Sequence, residues 1–422
     1  MVHVHGARVQ RLSARTRGVP LERLVAVPVD VGKSTATAMA CDFAGQVVVP
    51  PVGFALNLSG VAGLVARVEA RLAAATRLVR VGVEAAGHYH RPLTTSGVWP
   101  DGWQVVELNP GHVAMQRRVN GQRGVKSDHV DLTAIADLLL AGRGSEVAVP
   151  ADPVVELTGW VAHRRRRGAA RTAVKNQLTG QVDRAFPGLG ACLSSVLGTK
   201  VGRLIIAEFA DPTRLARLGV TRFRAFAARR GVRVSTPVAQ RLVEAARQAL
   251  PTADAAVARQ VLAADRALLA ALDAQIAAAD DRIKGLVPAT RFHVLMTVPG
   301  GGPLRAAGYA AGVGALDRWP SHRQVYRTAG LTPAMYESAG RRRDGGISRE
   351  GSVHLRRALI DMGVGLWHRD PAARAYADSL RARGKRGAVI ACALAYRANK
   401  IAFAMVRDQA VYDPTRWAAD LT

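Results

Sequence analysis

Four acidic residues in the first third of the chain have the types and the spacing that binding of divalent metal ions requires. Asp30 and Glu84 each close a valine-rich apolar run. Asp128 and Asp131 lie three positions apart at the start of an apolar-periodic segment, so a helix would place both carboxylates on one face. Carboxylates at strand ends beside such a pair would form an all-oxygen pocket that suits Mg²⁺. Two such ions can activate the attacking oxygen and stabilise the leaving oxygen of a phosphodiester.

Ser338 is a candidate nucleophile in the last third of the chain, in a segment rich in glycine and arginine that we expect to be a loop. A serine hydroxyl attacks a phosphate only when a base or a metal removes its proton and cations bind the phosphate. The cations could come from three consecutive residues, Arg341, Arg342 and Arg343. Residue chemistry alone favours an ordinary loop serine, and Ser348 and Ser352 compete with Ser338 for the role.

The charge of the chain indicates a nucleic-acid partner. Lys and Arg number 59 against 32 Asp and Glu, which gives a formal charge of +27 and a pI near 11.4. Such an excess raises the affinity for polyanions through counterion release. No apolar stretch is expected to reach the roughly 20 residues of a membrane span, so no membrane partner is predicted. The predicted nucleic-acid contacts are Lys33, Lys126, Arg164, Arg165, Arg166, Arg167, Arg341, Arg342, Arg343, Arg356 and Arg357.

The N-terminus and the cysteines bear on the cellular compartment. Residues 1–20 form a basic arm without an apolar signal core, which predicts a cytoplasmic, nucleoid-associated protein. The three cysteines lie far apart without a CxxC pair, so disulfides and a structural zinc site are not expected.

The elements that must position the acidic residues form an α/β pattern. Valine-rich runs at 24–30, 46–49, 78–84 and 104–108 predict strands, and residues 35–41 can pair with the first of them in a hairpin. Helical spacing follows at 58–75 and after Asp131. The order strand, hairpin, strand, helix, strand, helix, strand, helix is typical of an RNase H-like (RuvC-like) domain, which we expect over residues 21–145.

The remaining two thirds are predicted to be mainly helical. Over 153–286, one long helix (154–186) carries the basic run 163–167, and a second (253–283) has a near-heptad pattern. That pattern fits a coiled-coil hairpin, a dimer arm or an ordinary bundle helix. Residues 287–422 form a mainly α C-terminal domain that carries the serine motif. Its segment 298–303 resembles a helix-hairpin-helix turn, whose glycines would let backbone N–H groups approach a phosphate.

Two ordered sets of short motifs carry a resemblance to a known family. The first set is Asp30-Val31-Gly32-Lys33, Glu84-Ala85-Ala86-Gly87, Asn109-Pro110 and Lys126-Ser127-Asp128-His129-Val130-Asp131. The second is Val298-Pro299-Gly300, Ala329-Gly330-Leu331-Thr332-Pro333, Glu337-Ser338-Ala339-Gly340, Ile347-Ser348-Arg349-Glu350-Gly351 and Leu355-Arg356-Arg357. Together they resemble the DEDD/serine transposases of bacterial insertion sequences, the IS110 family, described as bridge-RNA-guided recombinases. Ser127 stands where that family usually has threonine.

The resemblance implies a DNA transposase with a two-part active site. Asp30, Glu84, Asp128 and Asp131 would bind Mg²⁺ near the scissile phosphate, and Ser338 would attack the phosphorus to form a covalent serine–DNA intermediate. It also implies a structured noncoding bridge RNA that pairs with target and donor DNA, so that base pairing reads the sequence. The acting form would be a homo-oligomer, either a dimer or a tetramer.

Two other functions remain open from the sequence. In a RuvC-like metal-dependent nuclease or junction resolvase, water would attack and Ser338 would be incidental. A non-catalytic nucleic-acid-binding protein would retain the fold without using the carboxylates, and the intact acidic set argues against it.

Overall fold

The computed structural model describes residues 16–85, 87–121, 127–147, 152–338 and 340–421. The chain forms two compact units, Met1–Val149 and Pro150–Thr422. The second unit therefore contains both the predicted helical region and the predicted C-terminal domain. Most of the predicted basic arm lies outside the described residues.

The first unit is built on a mixed six-stranded sheet with the strand order β3-β2-β1-β4-β5-β6. Strands β1, β4 and β5 are parallel, whereas β2, β3 and β6 pair antiparallel with their neighbours. This arrangement is consistent with an RNase H-like fold. The strands are β1 (Leu24–Val31), β2 (Thr35–Asp42), β3 (Val47–Ala55), β4 (Leu78–Glu84), β5 (Gln104–Leu108) and β6 (Ser145–Glu146).

Three α-helices accompany this sheet within the described residues: α1 (Leu58–Glu69), α2 (Pro110–Val119) and α3 (Asp128–Leu140). The predicted strands and the helices after β3 and at Asp128 are confirmed. The predicted helix between β4 and β5 is wrong, because the described residues of that connection contain only the short 3-10 helix Arg91–Thr94. Pro92, Pro100 and several glycines with positive φ interrupt the segment and cannot continue a helix. Instead, a helix that was not predicted, α2, follows β5.

The central strand β1 is buried on both faces, and its alternation sorts residues between two cores. The odd positions Val25, Val27 and Val29 pack in the core that contains α1. The even positions Leu24 and Ala26 pack in the core that contains α3. Successive side chains in a strand point to opposite faces. Odd-numbered residues of β1 therefore face α1, and even-numbered residues face α3.

Close approach of α3 to the sheet depends on a glycine in β4. A Cβ on Gly82 would lie 2.6 Å from Cδ2 of Leu139 in α3, closer than real Cβ contacts occur. A larger residue at 82 would therefore displace the Leu139 side chain and disturb the packing of α3, the helix that also carries the acidic pair.

Two long antiparallel helices form the framework of the second unit. These are α4 (Asp152–Ala185) and α9 (Ala255–Leu286). Ion pairs join the start of one helix to the end of the other, namely Glu156–Arg282, Arg164–Asp280, Arg171–Asp273 and Arg184–Asp254. The two predicted long helices thus pack on each other as a hairpin within one chain. The role of a dimer arm stays a prediction.

Each half of this helical hairpin has its own core. The half that contains the end of α4 and the start of α9 packs around Leu178, Phe223 and Leu262. Its partners are α5 (Leu189–Cys192), α6 (Lys200–Glu208), α7 (Pro212–Arg229) and α8 (Thr236–Arg247). The other half, which contains the start of α4 and the end of α9, contributes Leu157 and Ile283 to the core of the C-terminal region. That shared core explains why residues 150–422 form one unit.

The C-terminal region comprises six α-helices and one β-hairpin among its described residues. They are α10 (Gly302–Val313), α11 (His322–Thr328), β7 (Pro333–Ser338), β8 (Arg341–Ile347), α12 (Val353–Arg369), α13 (Pro371–Ala382), α14 (Gly387–Asp408) and α15 (Pro414–Leu421).

Helix α14 corrects the expectation that no apolar stretch approaches the length of a membrane span. The helix is 22 residues long, and its most apolar 18-residue window has a mean hydropathy of 1.4, which meets the composition of a spanning helix. However, 56% of its most apolar window is buried inside the structure, and α14 packs against α12. Ile390, Leu394 and Met405 are at most 1% exposed. These features are those of a core helix.

The glycine-rich turn before α10 approaches protein backbone. Gly300 has φ +73°, and a Cβ there would lie 2.3 Å from the carbonyl oxygen of Gly365 in α12. Arg305 also donates a hydrogen bond to the Gly300 carbonyl at 2.6 Å. Packing against α12 is therefore sufficient reason for a glycine at 300. The phosphate contact expected of a helix-hairpin-helix turn stays a prediction.

Candidate active site

Asp30 and Glu84 lie at the carboxyl ends of neighbouring parallel strands. The β1–β4 ladder pairs Val29 with Val83, so Asp30 and Glu84 are the next residues along the two strands. Both occupy even positions, which places them on the face of the sheet covered by α3. The two carboxylates thus share one edge and one face of the sheet.

Asp128 reaches the same edge through a threonine of β2. Thr37 is the register partner of Asp30, and register partners in an antiparallel pair lie on the same face. The Thr37 hydroxyl donates a hydrogen bond to Oδ2 of Asp128 at 3.0 Å. Ser127 caps α3, because its hydroxyl accepts from the backbone N–H of Val130 at 3.3 Å, and this fixes where the helix begins. Asp128 is therefore held over the strand that carries Asp30.

Asp131 has a different environment from the other three carboxylates. It is only 2% exposed and forms an ion pair with Arg117 of α2. A buried carboxylate needs such a partner, since an unpaired charge in the interior is costly. The Arg117 guanidinium thus occupies the position next to Asp131 that a metal ion would need.

The donor set meets the requirements of a divalent ion only in part. Within the described part of the chain, no three His, Cys, Asp or Glu side chains lie close enough together to hold a metal in this conformation. The oxygen chemistry of Asp30, Glu84 and Asp128 and their common edge and face nevertheless fit a hard cation. Their side chains would have to turn toward one another, which a bound cation favours. Asp131 fits less well because Arg117 already neutralises it.

Ser338 is the last residue of β7, which corrects the expectation of an irregular loop. Ser338 pairs in register with Arg341, and Tyr336 pairs with Arg343. Because partners and alternate residues share a face, these four side chains lie on one face of the hairpin. Ser338 is exposed to solvent, as are both arginines. Ala339 and the side chain of Arg342 lie outside the described residues.

The other predicted nucleic-acid contacts fall at several places. Lys33 is exposed in the turn between β1 and β2, whereas Lys126 lies outside the described residues. Arg164 is engaged by Asp280 through two hydrogen bonds. Nη1 of Arg356 is buried and has no hydrogen-bond partner among the described atoms. The remaining basic residues, Arg165, Arg166, Arg167 and Arg357, lie along α4 and on the first turns of α12.

Sequence reasoning missed two residues of the carboxylate site. The place of Thr37 could have been predicted from the sequence. Once the hairpin register is known, the alternation of side chains along β2 places Thr37 on the same face as Asp30. Arg117 had a weaker signal: Asn109-Pro110 is a typical N-cap followed by proline at the first helical position, which predicts α2. The contact between Arg117 and Asp131 depends on how α2 packs on α3, and no local pattern gives that.

Comparison with known proteins identifies two matching family models. One, described as a transposase and named for the DEDD transposase of IS110, matches residues 27–187. The other is described as the transposase IS116/IS110/IS902 family and matches residues 292–378. The first match contains all four acidic residues, and the second contains Ser338.

Similar curated proteins come from insertion elements of actinomycetes. The chain is 26% identical over 314 residues to an uncharacterized 43.6 kDa protein of insertion element IS110 from Streptomyces coelicolor, covering 72% of this chain and 76% of that protein. It is 28% identical over 316 residues to an uncharacterized 44.8 kDa protein of IS116 from Streptomyces clavuligerus, covering 71% and 76%. A mini-circle putative transposase for IS117 from S. coelicolor is 30% identical over 246 residues, covering 54% and 58%.

Proposed function

We propose that this chain, which belongs to the IS110 family of DNA transposases, cuts and rejoins DNA through a covalent serine–DNA intermediate. In this proposal Asp30, Glu84 and Asp128 hold divalent metal at a RuvC-like site, and Ser338 is the nucleophile. The observation that carries it is the common edge and face of the three carboxylates, with Thr37 tying Asp128 to the partner of Asp30.

Membership of a DEDD transposase family implies a divalent metal requirement. We infer Mg²⁺, with room for two ions, because an all-carboxylate donor set is hard and anionic. When bound, such an ion stabilises negative charge on the phosphate under attack and on the leaving oxygen. The carboxylates would orient that phosphate, and Asp128 would be presented by the capped start of α3.

Asp131 has a distinct role in the proposal. Its burial and its ion pair with Arg117 support a positioning function, in which the pair fixes the first turn of α3 against α2. The four acidic residues of the family motif would then divide into three that contact metal and one that holds the helix. This division differs from the expectation that all four bind metal alike.

Ser338 would form a bond from its hydroxyl oxygen to phosphorus, while the bond from phosphorus to the leaving deoxyribose oxygen breaks. The leaving oxygen takes up a proton, and the hydroxyl of a second DNA end later reverses the step and releases the serine. Arg341 and Arg343 share the face of Ser338 and would bind the nonbridging oxygens of the phosphate. No external energy source is required, since one phosphodiester bond is exchanged for another.

The target would be chosen through a noncoding bridge RNA, as the family resemblance implies. The net charge of +27 supports binding of both RNA and DNA backbones. Sequence would then be read by base pairing, and the protein would recognise backbone and shape. We also infer a homo-oligomer, because rejoining two DNA segments requires more than one cleavage.

A denaturing gel with a labelled, nicked donor–target substrate and the element's noncoding RNA tests the nucleophile. Wild-type protein should give a DNA band shifted by covalently attached protein, and Ser338→Ala should remove it. Ser348→Ala is the matched control, because Ser348 lies just beyond β8 in the same region. Free cleaved ends from Ser338→Ala would show that water attacks instead. An adduct that survives in Ser338→Ala and vanishes in Ser348→Ala would move the nucleophile.

A further inference from the structure

One exposed aromatic side chain lies beside the candidate nucleophile. Of the described Phe, Tyr and Trp side chains, only Phe43 and Tyr336 are exposed, and Tyr336 is the more exposed of the two at 67%. Tyr336 precedes Ser338 by two residues in β7, so both side chains lie on the same face of the hairpin. Leaving a large apolar surface in water is unfavourable. Tyr336 therefore offers an aromatic surface to a ligand on the face where the serine would attack.

A glycine on the facing strand makes room for the ring. Tyr336 pairs in register with Arg343, and Gly345 lies two residues further along β8, diagonal to Tyr336 on the same face. A Cβ added to Gly345 would lie 3.4 Å from Cε2 of Tyr336, so the ring lies against this glycine. A glycine has no side chain that could cover the ring from that side. The tyrosine is thus supported by β8 and still open to solvent.

The neighbours of the ring indicate which ligand it would bind. Arg341 and Arg343 are exposed on the same face, so a ligand of the ring must also bring negative charge. An apolar protein surface fits poorly, because it would take the two arginines out of water without a counter-charge. A nucleotide meets both needs, since its base stacks on aromatic side chains and its phosphate is an anion.

The spacing along β7 matches the spacing along a DNA strand. Successive residues rise about 3.4 Å in an antiparallel strand, which places Tyr336 and Ser338 about 7 Å apart. Nucleotides also follow one another at about 3.4 Å along each strand of DNA. With the scissile phosphate at Ser338, a base one or two nucleotides away lies within reach of Tyr336. Such a base can stack on a side chain once it leaves its partner in the duplex.

We propose that Tyr336 is a positioning residue that stacks on an unpaired DNA base one or two nucleotides from the scissile phosphate. Stacking restricts the rotation of that nucleotide and so holds the phosphate against Ser338. The inference rests on the proposed function for the place of the scissile phosphate. The alternative role for Tyr336 is that of a simple strand former, because tyrosine is common in β-strands.

Photochemical cross-linking detects the stacked base directly. The donor–target DNA is bound together with the element's noncoding RNA in EDTA, and 5-iodouracil replaces one DNA base at a time around the scissile phosphate. Irradiation should join Tyr336 to 5-iodouracil one or two nucleotides from that phosphate, as identified by mass spectrometry of the peptide. Tyr336→Phe should keep the cross-link, and Tyr336→Val should lose it. A cross-link of Tyr336 to the RNA alone, or to no base in that range, would overturn the proposal.

Binding measured by fluorescence anisotropy over a range of NaCl concentrations separates stacking from the structural role. Tyr336→Val keeps a residue that favours strands and should weaken DNA binding about 10-fold, a typical loss for one base–aromatic contact. The slope of log K against log [NaCl] should stay at the wild-type value, because the ring carries no charge. Tyr336→Phe should bind as the wild type does. Met335→Val is the matched control, since Met335 is 57% exposed on the opposite face of β7.

Three results of the binding measurement would count against stacking. Unchanged affinity in Tyr336→Val would remove the contact altogether. A smaller salt slope in that variant would show that the arginines of the hairpin had moved, as expected of a purely structural tyrosine. Equal weakening in Tyr336→Phe would assign the contact to the phenolic hydroxyl. Because neither measurement scores a covalent adduct, failure of the serine chemistry leaves both of them intact.

Discussion

The carboxylate edge of the first unit and the serine hairpin of the second unit are built in opposite ways. Asp30 and Glu84 end strands that are buried on both faces, and Asp128 starts a helix packed on the same sheet. Ser338 ends one strand of an isolated two-stranded sheet whose residues are mostly exposed. A two-stranded hairpin has little independent stability, whereas a sheet packed on both faces positions side chains firmly. Packing therefore fixes the backbone positions of the three carboxylates, although their side chains would still have to turn to bind an ion, whereas the geometry around Ser338 would depend more on bound DNA.

The largest expected effect is at the carboxylate edge. Asp128→Asn removes a negative charge from the proposed metal site and keeps the hydrogen-bonding shape. Strand transfer should fall on the order of 10³-fold or more, comparable with the loss of a catalytic charge-stabilising group. Binding of DNA and RNA should stay within about twofold, since the basic surfaces are unchanged. The assay is strand transfer at saturating Mg²⁺ together with anisotropy. Loss of binding along with activity would instead point to misfolding.

Arg117→Met tests how much the ion pair with Asp131 contributes to the stability of the first unit. It leaves the buried Asp131 without its counter-ion, which typically costs about 3–5 kcal/mol of unfolding free energy. Urea unfolding of the full-length protein, followed by circular dichroism, measures the change. The double variant Arg117→Met/Asp131→Leu should recover much of the loss, because it removes the uncompensated charge. A stable single variant would mean that the pair does not fix α3.

Thr37→Val probes the link between β2 and Asp128. The variant keeps the shape of the side chain and removes the hydroxyl that orients the carboxylate. Affinity for Mn²⁺ should fall about 10-fold, as for other groups that orient metal ligands through hydrogen bonds. Thr35→Val, at the start of the same strand, serves as the control. Equal affinities in the wild type and Thr37→Val would contradict an orienting role.

The smallest stability effect is expected at the hairpin. Arg341→Gln and Arg343→Gln change exposed side chains and should alter the unfolding free energy by less than about 0.5 kcal/mol. The same variants should reduce the yield of covalent adduct, because they remove cations from the face of Ser338. A large loss of stability would show that the hairpin is a structural element and would reverse the contrast between the two regions.

The sequence predicted the carboxylate edge better than the serine side for a physical reason. Valine alternation reports burial of a strand on both faces, so the strands ending at Asp30 and Glu84 were evident. The hairpin around Ser338 has polar residues on both faces and does not cover a core, so its sequence lacks a regular alternation of apolar and polar residues. Its arginines and glycines therefore suggested a loop.

Contacts between distant segments were beyond prediction from local patterns. The Arg117–Asp131 pair depends on the angle at which α2 packs on α3. Helical periodicity gives the face of each helix but not the neighbour that the face contacts. The absence of a helix between β4 and β5 was foreseeable, since Pro92 and Pro100 interrupt that segment.

We propose that Asp30, Glu84 and Asp128 hold one divalent ion together. A crystal structure of the protein soaked with Mn²⁺, with anomalous scattering used to locate the ion, tests it most directly. We expect Mn²⁺ about 2.1 Å from carboxylate oxygens of all three residues, with Asp131 still paired to Arg117. An ion bound elsewhere, or one that Asp131 binds after leaving Arg117, would contradict the claim.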